Sequence, residues 1–177
     1  MRVSQAIYRT RQFWLAWRAP SLKDHDLASA RKVLTAEQMQ LFSRLQPGEQ
    51  VHALRVLQTV QQHGESDPDL YTAALLHDIG KVRAPLRLWE RVLIVLGRGF
   101  FPERARIWGY GQCQGWRRPF VVAEQHPLWG SQMATEVGVT PLAASLIRRH
   151  QSPNQSEPVS AGEDHLLNIL QDADHQN

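Results

Sequence analysis

With 177 residues, 42% of them hydrophobic and six of them tryptophan, the chain can bury one sizeable core, which excludes an intrinsically disordered protein and predicts a single domain over residues 1–177. The only cysteine, Cys113, excludes an intrachain disulfide, and Arg2, Arg9, Arg11 and Arg18 interrupt every apolar run near the N-terminus, so the expected compartment is the reducing cytoplasm. No stretch approaches the roughly 18 apolar residues of a membrane span; the longest apolar run, Val92 to Leu96, is bounded by Arg91 and Arg98.

The net charge of +3 is unevenly placed, with seven Lys/Arg against two acids in residues 1–32 and eight Arg against two Glu in residues 83–118. The first block reads as a basic N-terminal extension, in which Ile7, Phe13, Trp14, Leu15 and Trp17 suit either ordinary packing or a membrane surface. Thr35 and Gln38 form a capping-box pattern that opens a short helix carrying Met39, Leu41, Phe42 and Leu45, which Pro47-Gly48 stops. A second helix is expected from Glu49 to His63, with Val51, Leu54, Leu57 and Val60 as its apolar stripe and Gly64 as its cap. Asp67-Pro68 predicts an N-cap followed by proline at the first helical position, so Asp69 to His77 should be helical and end near Gly80.

Leu86 to Leu96 is strongly apolar, and the glycines and proline from Gly97 to Gly115 are expected to break any long element before Pro119. Residues 86–118 therefore read as an insertion or lid. Its tryptophans, phenylalanines and arginines suit a cover over a substrate, a peripheral membrane contact, a partner helix or plain core packing. Phe120 to Val137 and Pro141 to His150 read as two more helices, the second capped by Thr140. A polar loop from Gln151 to Gly162 leads to a last helix, Glu163 to Asp174, with Leu166, Leu167, Ile169 and Leu170 buried. No strand pattern and no repeat is present, so the expected fold class is all-α.

His77-Asp78 ends an apolar helix, placing an imidazole and a carboxylate side by side. Such a pair suits Mn, Fe, Zn or Ni better than the all-oxygen shells of Mg or Ca. Taken alone it also fits a helix-terminal histidine beside an exposed aspartate. His52 on the preceding helix and Asp174 on the last supply further candidate ligands, the way metal sites in helical bundles are assembled.

His52, then His77-Asp78-Ile79-Gly80-Lys81, then Asp174 resembles the ordered H…HD…D signature of the HD superfamily of metal-dependent phosphohydrolases, over roughly residues 49–175. The resemblance implies an HD-domain helical bundle with a divalent metal at its centre, held by His52, His77, Asp78 and Asp174, with Asp172 the alternative to Asp174. His126-Pro127-Leu128-Trp129-Gly130 resembles the HPxxG segment of dinuclear members, and His150 falls where those proteins place another ligand. One or two ions per chain are thus implied, drawn from Mn, Fe, Ni, Co, Zn or Mg. The cyclic-dinucleotide subgroup would continue into a glycine-rich loop ending in Gly-Tyr-Pro. Arg149-His150-Gln151-Ser152-Pro153-Asn154 stands there instead, which counts against cyclic di-GMP hydrolysis.

The activity so implied is hydrolysis of a phosphate ester, commonly of a nucleotide, with the metal activating water and polarising a phosphoryl oxygen. Asp78 would orient or deprotonate the water, and would bridge the ions in a dinuclear site. Lys81 could steady a phosphate or complement the helix dipole, and Arg55, three residues after His52, could bind phosphate or pair with a carboxylate. His25, His63, His165 and His175 match no motif. The rival readings are a regulatory HD protein that binds a nucleotide or a protein partner with little turnover, and a nucleic-acid-binding helical domain. No recognition motif accompanies the basic blocks, so no nucleic-acid partner is expected.

Overall fold

The computed structural model describes residues 27–152 and 160–177, which are helical with no strand among them. The N-terminal residues 1–26, with the apolar and basic side chains singled out there and His25, lie outside the described residues, as does the loop stretch 153–159. In chain order the helices are α1 (Ala28–Val33), α2 (Ala36–Phe42), α3 (Pro47–Gln62), α4 (Pro68–Leu76), a 3-10 turn (Ile79–Arg83), α5 (Leu88–Phe100), α6 (Pro102–Trp108), a short 3-10 turn (Gly115–Arg117), α7 (Arg118–Glu136), α8 (Pro141–Arg149) and α9 (Ala161–Gln176).

Local chemistry sets most of these boundaries. Thr35 and Gln38 close a reciprocal capping box on α2, and Asp67 Oδ1 accepts the backbone N–H groups of Asp69 (2.8 Å) and Leu70 (3.0 Å) at the start of α4. Thr140 and Ser160 cap α8 and α9 in the same way, through Ala143 N–H and Glu163 N–H. Pro47 begins α3 at its first helical position rather than merely ending α2, because a proline there gives up an N–H that has no helical partner. The buried stripe of α3 is also shifted: Ala53, Val56, Leu57 and Val60 are buried, while Val51 and Leu54 are only half-buried.

The sharpest difference from the sequence reading lies between Leu86 and Pro119. α5 runs straight through Gly97 and Gly99 as far as Phe100, and α6 follows at once behind Pro102. Packing overrides glycine's weak helix preference here. A Cβ on Gly97 would stand 2.4 Å from the Phe120 ring, so the glycine is what lets α5 press against α7.

One large apolar cluster joins α1 to α4 with α8 and α9, including Phe42, Leu57, Leu75, Ile147 and Leu167. Ala30 and Leu27 belong to it, so the last residues of the expected basic extension pack as part of the core. A second, smaller cluster of Leu86, Val121, Val122 and Trp129 sits under the 86–118 segment. α7 passes between the two. Its contact with the first 3-10 turn is unusually close, because a Cβ on Gly80 would lie 2.0 Å from the His126 carbonyl oxygen and 2.6 Å from Gly130 N. Pro127 inside α7 leaves the Ala123 carbonyl without its helical N–H, and Arg98 from α5 donates to that carbonyl at 3.2 Å.

Candidate metal centre

α3 contributes His52, the break between α4 and the 3-10 turn contributes His77 and Asp78, the middle of α7 His126, the end of α8 His150, and α9 Asp174. Six motif positions far apart in sequence thus meet at one place. His52 Nε2 lies 2.8 Å from Asp174 Oδ1 and 3.3 Å from His77 Nε2, and His77 Nε2 lies 3.6 Å from that same Asp174 oxygen. On the other side His126 Nε2 lies 3.2 Å and His150 Nε2 3.9 Å from Asp78 Oδ1. Asp78 Oδ2 faces His77 Nε2 at 3.6 Å and Lys81 Nζ at 2.5 Å. The cluster therefore divides into two adjoining triads, His52–His77–Asp174 and Asp78–His126–His150, each tight enough to hold a metal ion. Asp172 is exposed, so α9 turns Asp174 and not Asp172 toward the histidines.

The second ring nitrogens fix the tautomers. His77, His126 and His150 each donate Nδ1–H to a backbone carbonyl of their own helix, on Ala74 (2.9 Å), Val122 (2.9 Å) and Ile147 (2.7 Å). A carbonyl can only accept, so Nδ1 carries the proton and Nε2 presents a lone pair to the cluster. His126 Nε2 and His150 Nε2 are buried with no hydrogen-bond partner among the described residues. Buried polar atoms are rarely left so, and a lone pair without a donor is what a cation satisfies. The donor set and its orphaned nitrogens thus fit a divalent metal.

The electrostatics agree. Burial pushes the His150 pKa down to about 3, helped by His77 and His126, and burial likewise lowers that of His126 against the pull of Asp78. Burial alone would raise the carboxyl groups, but Lys81 and His77 hold Asp78 well below the usual carboxylate range, and the hydrogen bond from His52 does the same for Asp174. Neutral imidazoles and ionised carboxylates are the forms that bind metal.

The cluster forms part of the wall of an open cavity of about 1200 Å³, lined also by Arg55, Lys81, Arg91, Arg98, Arg106 and Arg148. Lys81 lies beside Asp78, whereas Arg55 and Arg148 have no hydrogen bond or ion pair among the described residues. Arg91 pairs with Glu49 at 2.6 Å and Gln46 at 2.8 Å, tying α5 to the start of α3. No motif in the sequence marks Arg91, Arg98, Arg106 or Arg148 as a cavity residue, and the first three stand on α5 and α6, where glycines and a proline obscure the helical pattern. Nor does any motif mark Arg149, which is buried and joins α8 to α9 through Glu163 (3.0 Å) and Asp164 (2.9 Å). Gln171 extends that join by donating to the carbonyls of Arg149 and Ser152. Of the histidines without a motif, His63 is exposed, His165 pairs with Glu65 at 3.0 Å, and His175 lies at the cavity rim.

An all-α bundle with a buried His/Asp cluster opening on a cationic cavity is the architecture of a metal-binding helical domain. The model of the HD domain family matches residues 50–175, and the chain belongs to that family, whose members are in general metal-dependent hydrolases of phosphate compounds. No curated protein and no solved structure matches the chain.

Proposed function

We propose that this protein is a metal-dependent phosphohydrolase that cleaves a phosphate ester, with a nucleotide as the substrate class. The observation that carries the reading is the pair of adjoining triads, with Asp78 of one facing His77 of the other and two imidazole nitrogens buried without a partner among the described residues, at the wall of an arginine-lined cavity. His52, His77, Asp78 and Asp174 would hold one ion, and His126 and His150, together with Asp78, would hold a second. Mn, Fe, Ni, Co and Zn suit this mixed nitrogen and oxygen set best, and Mg belongs in the screen.

A divalent ion held by these residues would supply Lewis acidity, making water a better nucleophile near neutral pH and a phosphoryl group a better electrophile. The protein's own groups do the rest. The Asp78 carboxylate, held ionised, orients the attacking water by accepting a hydrogen bond from it. Lys81, at the cavity wall beside Asp78, offers a point charge to the phosphoryl group while steadying that carboxylate. Arg55 on α3 and Arg148 on α8 line the same cavity with guanidinium groups that are unpaired among the described residues, suited to the phosphate oxygens that stay with the substrate. The whole chain is read as one domain with its metal-binding core over 49–175 and the 86–118 segment as a wall or lid. The reducing cytoplasm is its proposed location, supported by the single cysteine, and no helix among the described residues is long and apolar enough to cross a membrane.

The test is elemental analysis of the purified protein beside a His77→Ala, Asp78→Ala double variant, followed by a screen of phosphate esters with Mn, Fe, Mg, Ni and Co. One or two ions per chain, lost in the variant together with nucleotide hydrolysis, is the expected result. A protein that binds no metal and turns over no phosphate ester would instead be a regulatory HD scaffold.

A further inference from the structure

α5 carries an apolar face that the described residues leave largely uncovered. Trp89, Val92, Leu93, Leu96 and Phe100 follow the i, i+3, i+4, i+7, i+11 spacing of one helix face, and none is buried. Trp89 is 55% exposed, Leu96 48% and Phe100 69%, and the exposure continues through Phe101 (53%) into α6 at Ile107 (62%). Single exposed apolar residues are ordinary, but a contiguous run of large aromatic and aliphatic side chains marks a contact surface.

The exposed charges of the same two helices say what covers it. Arg87, Arg98, Arg104 and Arg106 are exposed on the same two helices and their lead-in, while the only exposed acid there is Glu103, because Glu90 is buried against Arg118. A second copy of the chain, docking face to face, would set arginine against arginine. A nucleic acid backbone would pair with the arginines and leave the apolar stripe in water. An interface of anionic headgroups over acyl chains satisfies both halves at once. We propose that the apolar face of the arginine-rich helices α5 and α6 docks on an anionic phospholipid bilayer, lying in the headgroup boundary with Phe100, Phe101 and Ile107 inserted. Arg98 stands on the opposite side of α5 from the apolar stripe, where it donates to the Ala123 carbonyl of α7 and lines the cavity, so docking through the stripe leaves the cavity open.

Co-sedimentation of the full chain with vesicles tests this. Vesicles of phosphatidylcholine alone should leave the protein in solution, and vesicles mixed with phosphatidylglycerol should bring it down in a salt-sensitive way. The Phe100→Ser, Ile107→Ser double variant should lose about tenfold or more in partitioning, with unchanged metal content because neither residue reaches the cluster. Arg104→Glu is an independent variant that leaves the apolar side chains intact, and it should weaken binding as well. The parallel variant Trp14→Ser, Trp17→Ser separates this face from the basic N-terminal residues. Failure to bind anionic vesicles would overturn the proposal, as would loss confined to the Trp14, Trp17 variant. A dimer in sedimentation equilibrium that Phe100→Ser, Ile107→Ser converts to monomer would also overturn it, by making a second copy the occupant.

Discussion

Asp78 Oδ1 faces His126 and His150 while Oδ2 faces His77 and Lys81, so a single carboxylate serves both triads. Asp78→Asn keeps the shape and removes the charge, and equilibrium dialysis with Mn should show metal affinity falling by about a hundredfold or more, beyond the loss typical of an outer-shell partner. Gly80 is as constrained as Asp78, for a steric reason. Any Cβ there meets the His126 carbonyl, so Gly80→Ala must push the 3-10 turn off α7 at a cost of about 3 kcal/mol. Thermal denaturation should show a lowered midpoint, together with lowered metal content because His126 moves too. At this scale the sequence was informative where ligands sit in short motifs, such as His77-Asp78 or His126-Pro127. It was silent on Arg148 and Arg149, since nothing in Arg148-Arg149-His150 tells which arginine turns to the cavity and which to the interior.

Between elements, the join that matters most is Arg149 with Glu163 and Asp164. It fixes α9 against α8, and α9 is what carries Asp174 to His52. Arg149→Met leaves Glu163 half-satisfied by Ser145 alone and should cost roughly 2 to 3 kcal/mol in urea unfolding. Asp67→Ala should cost about 1 kcal/mol in the same assay, because two N–H groups of α4 lose their acceptor. The caps Thr35, Asp67 and Thr140 and the first-turn Pro68 were legible because a helix terminus is a local problem with few chemical solutions, whereas Pro47 reads equally as a stop and as a start. α5 was not legible. Gly97 and Gly99 argue locally for a break, and only the Phe120 ring, more than twenty residues away in sequence, shows why a glycine belongs inside that helix. The shifted stripe of α3 has a similar origin, since Ala53 faces the interior where the neighbouring helix comes close and Val51 lies toward its edge.

Across the whole molecule, the cluster draws side chains from α3, α4 and the adjoining turn, α7, α8 and α9, so an ion there is a cross-link between elements that the apolar core also joins. Ligand binding to the native state alone stabilises by mass action, about 2.7 kcal/mol at a metal concentration one hundred times the dissociation constant. Scanning calorimetry should therefore show the unfolding midpoint falling on chelation and recovering when Mn or Fe is restored, with no such response in the His77→Ala, Asp78→Ala variant. The two apolar clusters give this architecture a further property. His52, His77, Asp174 and the helices that carry them belong with the large cluster, whereas Arg91, Arg98 and Arg106 stand on helices seated over the small one. The molecule is in that sense a fixed anvil and an exchangeable jaw. Segments grafted in place of residues 88–117, cut to the same length and keeping the glycine opposite Phe120, offer a way to re-shape which anion is gripped without re-engineering the part that grips the metal.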